Sequence, residues 1–396
     1  MEHIMELDFM GEVYASTAND KYLGTFSIAA HLKEAVNLQV LQQAVNDLVK
    51  RQPYISGRLR NFKYELLAEP PKIIPEAEQP LFSAYYDKGD GHILRVLYGE
   101  RHFKVETSHF MTDGRGLSKI TSALLVRYFE LLGIELDKGD IMDCADTALP
   151  EETEDAYARY ASPEKPQPNK DGLKGKAYKH NHFASAKTRV ASKTFGLAKI
   201  KASAKMHDVT VGTYIAARIV SAIAKERDAS GSKAQIVINF PVDFRSFFPS
   251  KTIRNFVNSK NVVMPEGVEF STMAQQVQQQ LTTVDAKFAQ TAVDEANIAL
   301  KALSRMPRWL EKFMLKMVTR TMFKKVTTML SNLGLVRLPK QVEERVENLE
   351  FVISPTPGLP YTFACIAVGN AFTLSITADT MGDDLIEKIF AELEEN

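Results

Sequence analysis

The chain has 396 residues, of which 45% are hydrophobic and 25% charged, ordinary globular usage with length enough for two domains with sizeable cores. Its 49 Lys and Arg balance its 49 Asp and Glu, so the chain as a whole makes no electrostatic case for a nucleic-acid partner. Its two cysteines, Cys144 and Cys365, lie far apart without ligand spacing, which argues against a disulfide framework or a metal site.

The first residues lack a basic segment followed by an apolar run, and no uninterrupted apolar stretch reaches about 18 residues. The expected address is the cytoplasm.

In chain order, the first clear element is an amphipathic helix at 37–51. At 102–109, Phe103, Val105, Thr107 and His109 share one face while Lys104, Glu106 and Ser108 share the other, the alternation of a strand. His109 therefore points inward. Asp113, Gly114 and Gly116 follow as a turn, the glycines releasing the backbone. Leu117, Ile120, Thr121, Leu124, Leu125, Tyr128 and Leu132 then recur at helical spacing up to Gly133, a helix stop.

This strand, turn and helix present one histidine from an apolar face. A neutral imidazole suits proton removal, since its ordinary pKa is about 6.5 and burial lowers it. Such a base could deprotonate a hydroxyl or an amine. Taken alone, a lone histidine of this kind is more often a hydrogen-bonded core residue, with Asp113 as a helix-start residue.

Between 151 and 182 the sequence turns polar, with Pro163, Pro166 and Pro168 close together, which no core-facing element tolerates. It predicts a first lobe at 1–160, a linker or crossover at 161–185 and a second lobe at 186–396. The second lobe reads as a strand at 187–195, a long helix at 209–227, a buried strand at 235–240 broken by Pro241, and a short strand at 262–264. A polar helix follows at 272–303. At 305–325, Arg308, Lys312, Lys316, Arg320 and Lys324 repeat every fourth residue along one stripe, with Trp309, Leu310, Phe313, Met314, Met317 and Met322 largely elsewhere. Strands at 349–354, 361–368 and 371–378 come next, the last two joined by Gly369-Asn370, and a helix at 383–394 ends the chain. Cys365 lies in the apolar run 362–368 and is expected in the core. Strands and helices mix without strict alternation, so the expected fold class is α/β with mixed sheets in two lobes, not a doubly wound parallel sheet.

His109-x-x-x-Asp113-Gly114 at the end of an inward-facing strand resembles the HxxxDG signature of an acyltransferase superfamily. That superfamily includes chloramphenicol acetyltransferase, the plant BAHD acyltransferases, nonribosomal peptide condensation domains and bacterial alcohol acetyltransferases. Other segments are similar to the family in the same order: the helix ending at Arg51-Gln52-Pro53, the element Pro241-Val242-Asp243-Phe244-Arg245, residues 249–256, and Ser331-Asn332-Leu333-Gly334 ahead of Leu338-Pro339. Ser108 stands where condensation domains usually carry a second histidine, and the Asp-Phe-Gly-Trp-Gly motif of the plant enzymes has no counterpart. The nearest likeness is to bacterial alcohol acetyltransferase-like proteins.

The resemblance implies a two-lobed chloramphenicol acetyltransferase-like fold with a central tunnel between the lobes. An acyl thioester would enter from one side and a small alcohol or amine acceptor from the other. It implies His109 as general base and Asp113 as its structural orienter, with Gly114 and Arg245 as structural support of the site. Asp113 would pair with Arg245, for which Asp243 is an alternative partner. The implied co-substrate is acyl-CoA, acetyl-CoA foremost, with no metal. A carrier-protein-bound acyl donor, or a non-catalytic binding protein on the same fold, stays open as an alternative. Asn255, Ser331 and Asn332 are candidate oxyanion donors, none singled out by spacing. The basic helix at 305–325 suits the phosphates of coenzyme A, an acyl carrier protein or peripheral contact with an anionic membrane, or is simply a solvated face.

Overall fold

The computed structural model describes residues 4–19, 22–79, 81–82, 91–163, 166, 173, 176–180, 188–379 and 384–394. In the first half, β1 (Ile4–Met5) and α1 (Phe9–Thr17) precede β2 (Thr25–Leu32) and α2 (Leu38–Arg51). Strands β3 (Gly57–Arg60), β4 (Lys63–Leu66), β5 (Ile73–Pro75), β6 (Arg95–Tyr98) and β7 (His102–Ser108) lead to α3 (Gly114–Leu131) and the short α4 (Ala156–Arg159). The second half opens with β8 (Arg189–Gly196), α5 (Leu197–Met206), α6 (Val211–Ala229), β9 (Val237–Asp243) and β10 (Val257–Val263). Three helices follow, α7 (Phe270–Leu281), α8 (Ala286–Leu303) and α9 (Arg308–Lys324). Then come β11 (Thr328–Val336), α10 (Lys340–Glu343), β12 (Val346–Ile353), β13 (Tyr361–Val368), β14 (Ala371–Ala378) and α11 (Asp384–Glu394).

Among the described residues these strands form three sheets, ordered β12-β2-β7-β6-β5, β10-β9-β11-β13-β14-β8 and β1-β4-β3. The larger two mix parallel and antiparallel neighbours: β5 runs parallel to β6, and β11 parallel to both β9 and β13. Leu41 and Val45 of α2 and Leu117, Ile120 and Leu124 of α3 share a core with Phe26, Ile28, Phe103 and Val105 of the first sheet. Each such side chain, fully buried, contributes about 1.5–3 kcal/mol. Ile215, Ile219 and Ile223 of α6 and Ile389 of α11 pack with Phe363, Cys365 and Leu374 of the second sheet. Burial raises the Cys365 thiol far above its ordinary pKa. No described helix is long and apolar enough to cross a membrane.

β12 joins the two large sheets. It pairs with β2, placing Phe351 opposite Ile28 and Leu349 opposite Ala30. Its Ile353 carbonyl also accepts from Thr377 of β14 at 2.7 Å. A strand from the last sixth of the chain is thus the edge of the sheet that carries β7.

Several elements differ from the sequence expectation, each for a local reason. The helix at 272–303 is two helices, because Asp285 caps a fresh start by accepting from Phe288 N–H at 2.7 Å. β9 runs through Pro241 to Asp243, paired there with β10 alone, since β11 meets β9 only opposite Ile238 and Asn239; a proline is tolerated where one side of a strand is unpaired. β11 went unread because its apolar alternation breaks at a bulge between Asn332 and Leu335, with Gly334 at φ 70°. Glu106 and Ser108 are buried as deeply as the residues on the other face of β7, Glu106 against Arg95. The polar stretch after 150 begins as a strap: Glu152 binds Arg51 with both oxygens, at 2.7 and 2.8 Å, and Tyr157 accepts from Val257 N–H at 2.9 Å. Most of the expected linker at 161–185 lies outside the described residues.

Candidate active site

The backbone carrying His109 is held at both sides. Ser108 Oγ donates to the Leu23 carbonyl at 3.1 Å, His109 N–H to the Gly24 carbonyl at 3.0 Å, and Tyr54 Oη to the Met111 carbonyl at 2.7 Å. Gly24 has φ +60°, and a Cβ on it would lie 2.6 Å from the Tyr14 ring. Glycine there leaves room for Tyr14 to stack on His109, with ring centroids 4.2 Å apart and planes at 13°. Phe26 lies against the imidazole at 4.5 Å. Burial lowers the His109 pKa from its ordinary value against the opposing pull of Asn255, Asp113 and the Thr112 backbone, which favours the neutral imidazole.

His109 Nδ1 lies 3.1 Å from Asn255 Oδ1. That contact is the one side-chain hydrogen bond of the imidazole among the described residues, and the Thr112 backbone also acts on the ring. The amide nitrogen of Asn255 donates to the His109 carbonyl at 2.9 Å and to Asp8 Oδ1 at 3.0 Å.

Asp113 caps α3, accepting at Oδ1 from Gly116 N–H at 2.8 Å. Its Oδ2 accepts from Phe256 N–H at 2.7 Å and from Arg245 Nη1 at 3.0 Å. Arg245 also donates to Asp243 at 2.8 Å and to the Thr252 and Arg254 carbonyls, so both carboxylates considered from sequence bind it at once. Burial works against charge on Asp113, and Arg245 with the two N–H groups outweighs it, holding the carboxyl below the usual range. The network ties the turn after β7 to the loop between β9 and β10.

Gly114 and Gly116 lie in the first turn of α3, with φ values that any residue adopts. Conformational freedom is therefore not what these positions need. A Cβ at Gly116 would collide with the Ile253 carbonyl and Thr112 Oγ1, whereas one at Gly114 would meet Leu333 Cδ2 at 2.9 Å.

His109, Asp113, Arg245 and Asn255 converge. Asn332 is exposed, and its Oδ1 accepts from Gly334 N–H at 2.8 Å within the β11 bulge. Asn255 has both amide hydrogens committed to Asp8 and the His109 carbonyl, which leaves it no donor for an oxyanion. Sequence reasoning missed Tyr14, Phe26 and Asp8. Asp8 was legible as a helix cap, since its side chain accepts from Gly11 N–H, but nothing local pointed to Asn255, 247 residues away.

Two cavities flank the C-terminal end of α1. One of about 300 Å³ is lined in part by Ala15, Ala18, Phe110 and Lys316. The other, about 830 Å³, is lined in part by Thr17, Tyr22, Lys316, Arg320 and Lys324. His109 is not among the lining residues of either, though its neighbour Phe110 lines the smaller one. On α9, Glu311 and Leu315 face inward, while Trp309, Phe313 and Met317 are exposed beside Lys316 and Arg320. Apolar and basic side chains thus share the solvent side of that helix instead of dividing it.

Residues 163–395 match the alcohol acetyltransferase family model. Among solved structures, the chain is similar to polyketide synthase associated protein 5 from Mycobacterium tuberculosis at 14% identity and TM-score 0.63, over 98% of this chain and 96% of that one. It is also similar to a trichothecene 15-O-acetyltransferase from Fusarium sporotrichioides, at 13% identity and TM-score 0.63 over 98% and 93% of the two chains. The first condensation domain of the CDA synthetase aligns at 13% identity and TM-score 0.60, over 99% and 95%. At such identities the likeness is one of fold, the two-lobed architecture of acyltransferase and condensation domains. No curated protein matches the chain significantly in sequence.

Proposed function

The chain belongs to the alcohol acetyltransferase family and is an acyltransferase, and from that premise we propose that it carries an acyl group, acetyl foremost, from acyl-CoA directly to a small alcohol or amine, with His109 as general base. One observation carries the reading: the imidazole, stacked on Tyr14 and bonded at Nδ1 to Asn255, has no side-chain partner at Nε2 among the described residues. In this scheme Nε2 takes the proton from the acceptor as its oxygen or nitrogen attacks the thioester carbonyl. The tetrahedral intermediate then collapses, the carbon–sulfur bond breaks, and the imidazolium returns the proton to the leaving thiolate. No acyl-enzyme is required. Asp113 and Arg245 hold the turn in place and touch no reacting atom.

The donor side is supported by Lys316, Arg320 and Lys324, which follow one another along α9 at the rim of the larger cavity. Cations grouped there suit the phosphates of a coenzyme A thioester. An acidic carrier protein would meet the same ridge, so the assay includes both donors.

The test measures thiol release from a series of short to long acyl-CoAs, and from pantetheine-loaded carrier, with pooled alcohols and amines. Release that requires an acceptor and falls by roughly 10²–10⁴ in His109→Ala supports the scheme. Release from carrier alone moves the donor assignment to a condensation-like enzyme. Full activity in the variant removes His109 as base, and no release from any donor by folded protein supports a binding role.

A further inference from the structure

We propose that Asn255, itself oriented by Asp8, is a positioning residue that fixes the tautomer of His109, holding the ring proton on Nδ1 and leaving Nε2 as the nitrogen that accepts a proton.

The argument is one of donors and acceptors. Asn255 is fully buried and Asp8 is 1% exposed. Around the amide nitrogen of Asn255 stand the Asp8 carboxylate, at 3.0 and 3.2 Å from its two oxygens, and the His109 carbonyl at 2.9 Å. A carbonyl only accepts, and Asp8, pushed up to about 6 by burial against the pull of Arg254, is ionised at pH 8 and only accepts as well. With its amide reversed, Asn255 would aim oxygen at acceptors inside the core, so the observed orientation is enforced chemically. Oδ1 therefore faces the imidazole, and a ring nitrogen 3.1 Å from an amide oxygen must carry hydrogen.

Asp8 is itself held in place. It accepts from Gly11 N–H at 2.8 Å as the cap of α1, accepts from Asn255 N–H at 3.2 Å, and lies 3.5 Å from Arg254 Nε. α1 also carries Tyr14, which stacks on the same imidazole. One helix thus supplies both the ring that covers His109 and the carboxylate that orients its partner.

The catalytic consequence rests on the reading of His109 as base; the tautomer does not. The test is nitrogen NMR of the full chain labelled with ¹⁵N-histidine at pH 8, the His109 signals being identified by their loss in His109→Gln. The parent is expected to show protonated Nδ1 and bare Nε2. Asn255→Ala is expected to mix the tautomers and to lower kcat roughly ten- to hundredfold with KM within about twofold. Asp8→Asn keeps a helix-capping side chain and the Asn255 amide, and is expected to mix the tautomers as the amide gains freedom to reverse.

A parent carrying its proton on Nε2, or an Asn255→Ala protein that keeps the Nδ1–H form, overturns the proposal. Should Asn255→Ala fail to fold, an Asp8→Asn protein with an unmixed Nδ1–H signal overturns it. Mixed tautomers with unchanged kcat would support the positioning role and count against His109 as the base, so the two failures read differently.

Discussion

A histidine serves as a base only while its imidazole is neutral, and the environment of His109 secures that by burial against Tyr14 and Phe26. On the proposed mechanism, the acid limb of kcat/KM falls at an apparent pKa below the ordinary 6.5. A pH–rate profile with its limb at or above that value would contradict the assignment. The same burial has a stability consequence of definite sign. With its folded pKa lowered, His109 takes up a proton more readily in the unfolded chain, so its contribution turns against folding as pH drops below about 6.5. Alternation along 102–109 set His109 on the face of Phe103 and Val105, but burial does not separate the two faces, since Glu106 and Ser108 are buried and His109 only partly so. Its ring partners and Asn255 were not legible, because Asn255 lies 146 residues away and reaches the imidazole from another strand's loop.

The elements around the site depend on close backbone approach more than on turn freedom. Gly116 abuts a backbone carbonyl, that of Ile253, and the Thr112 hydroxyl, neither of which can swing away easily, whereas the contact at Gly114 is the end of a rotatable leucine. Gly116→Ala is expected to destabilise the protein by about 1–3 kcal/mol and Gly114→Ala by less than about 1 kcal/mol. Urea midpoints would show it; equal shifts, or the reverse order, would contradict the packing argument. Sequence singled out Gly114 because it completes a recognisable motif. It could not see that Gly116 is the tighter position, since the obstructing carbonyl comes from the segment following β9. Among the other elements, long helices and the β13–β14 hairpin were legible because each carries its own period or turn. β11 was not, since its bulge interrupts the alternation a reader relies on.

For the molecule as a whole, β12 is the decisive element, pairing along β2 while packing against β14. An unpaired edge exposes a row of backbone donors and acceptors, so neither large sheet is complete without the chain's last sixty residues. Native-state hydrogen exchange should therefore give the amides of β2 and β13 the same opening free energy, that of global unfolding. Clearly separate values would mean that the two sheets open independently. By itself the sequence determined the mixed α/β class, most of the periodic elements and the family resemblance, because these rest on short-range periodicity and on motifs carried by neighbouring residues. Only the tertiary structure decided that Asp113 and Asp243 share Arg245, that Asn255 turns its oxygen to the imidazole, and that a late strand completes an early sheet. Those are matters of which donors, acceptors and edges meet across more than a hundred residues, and no local pattern encodes such meetings.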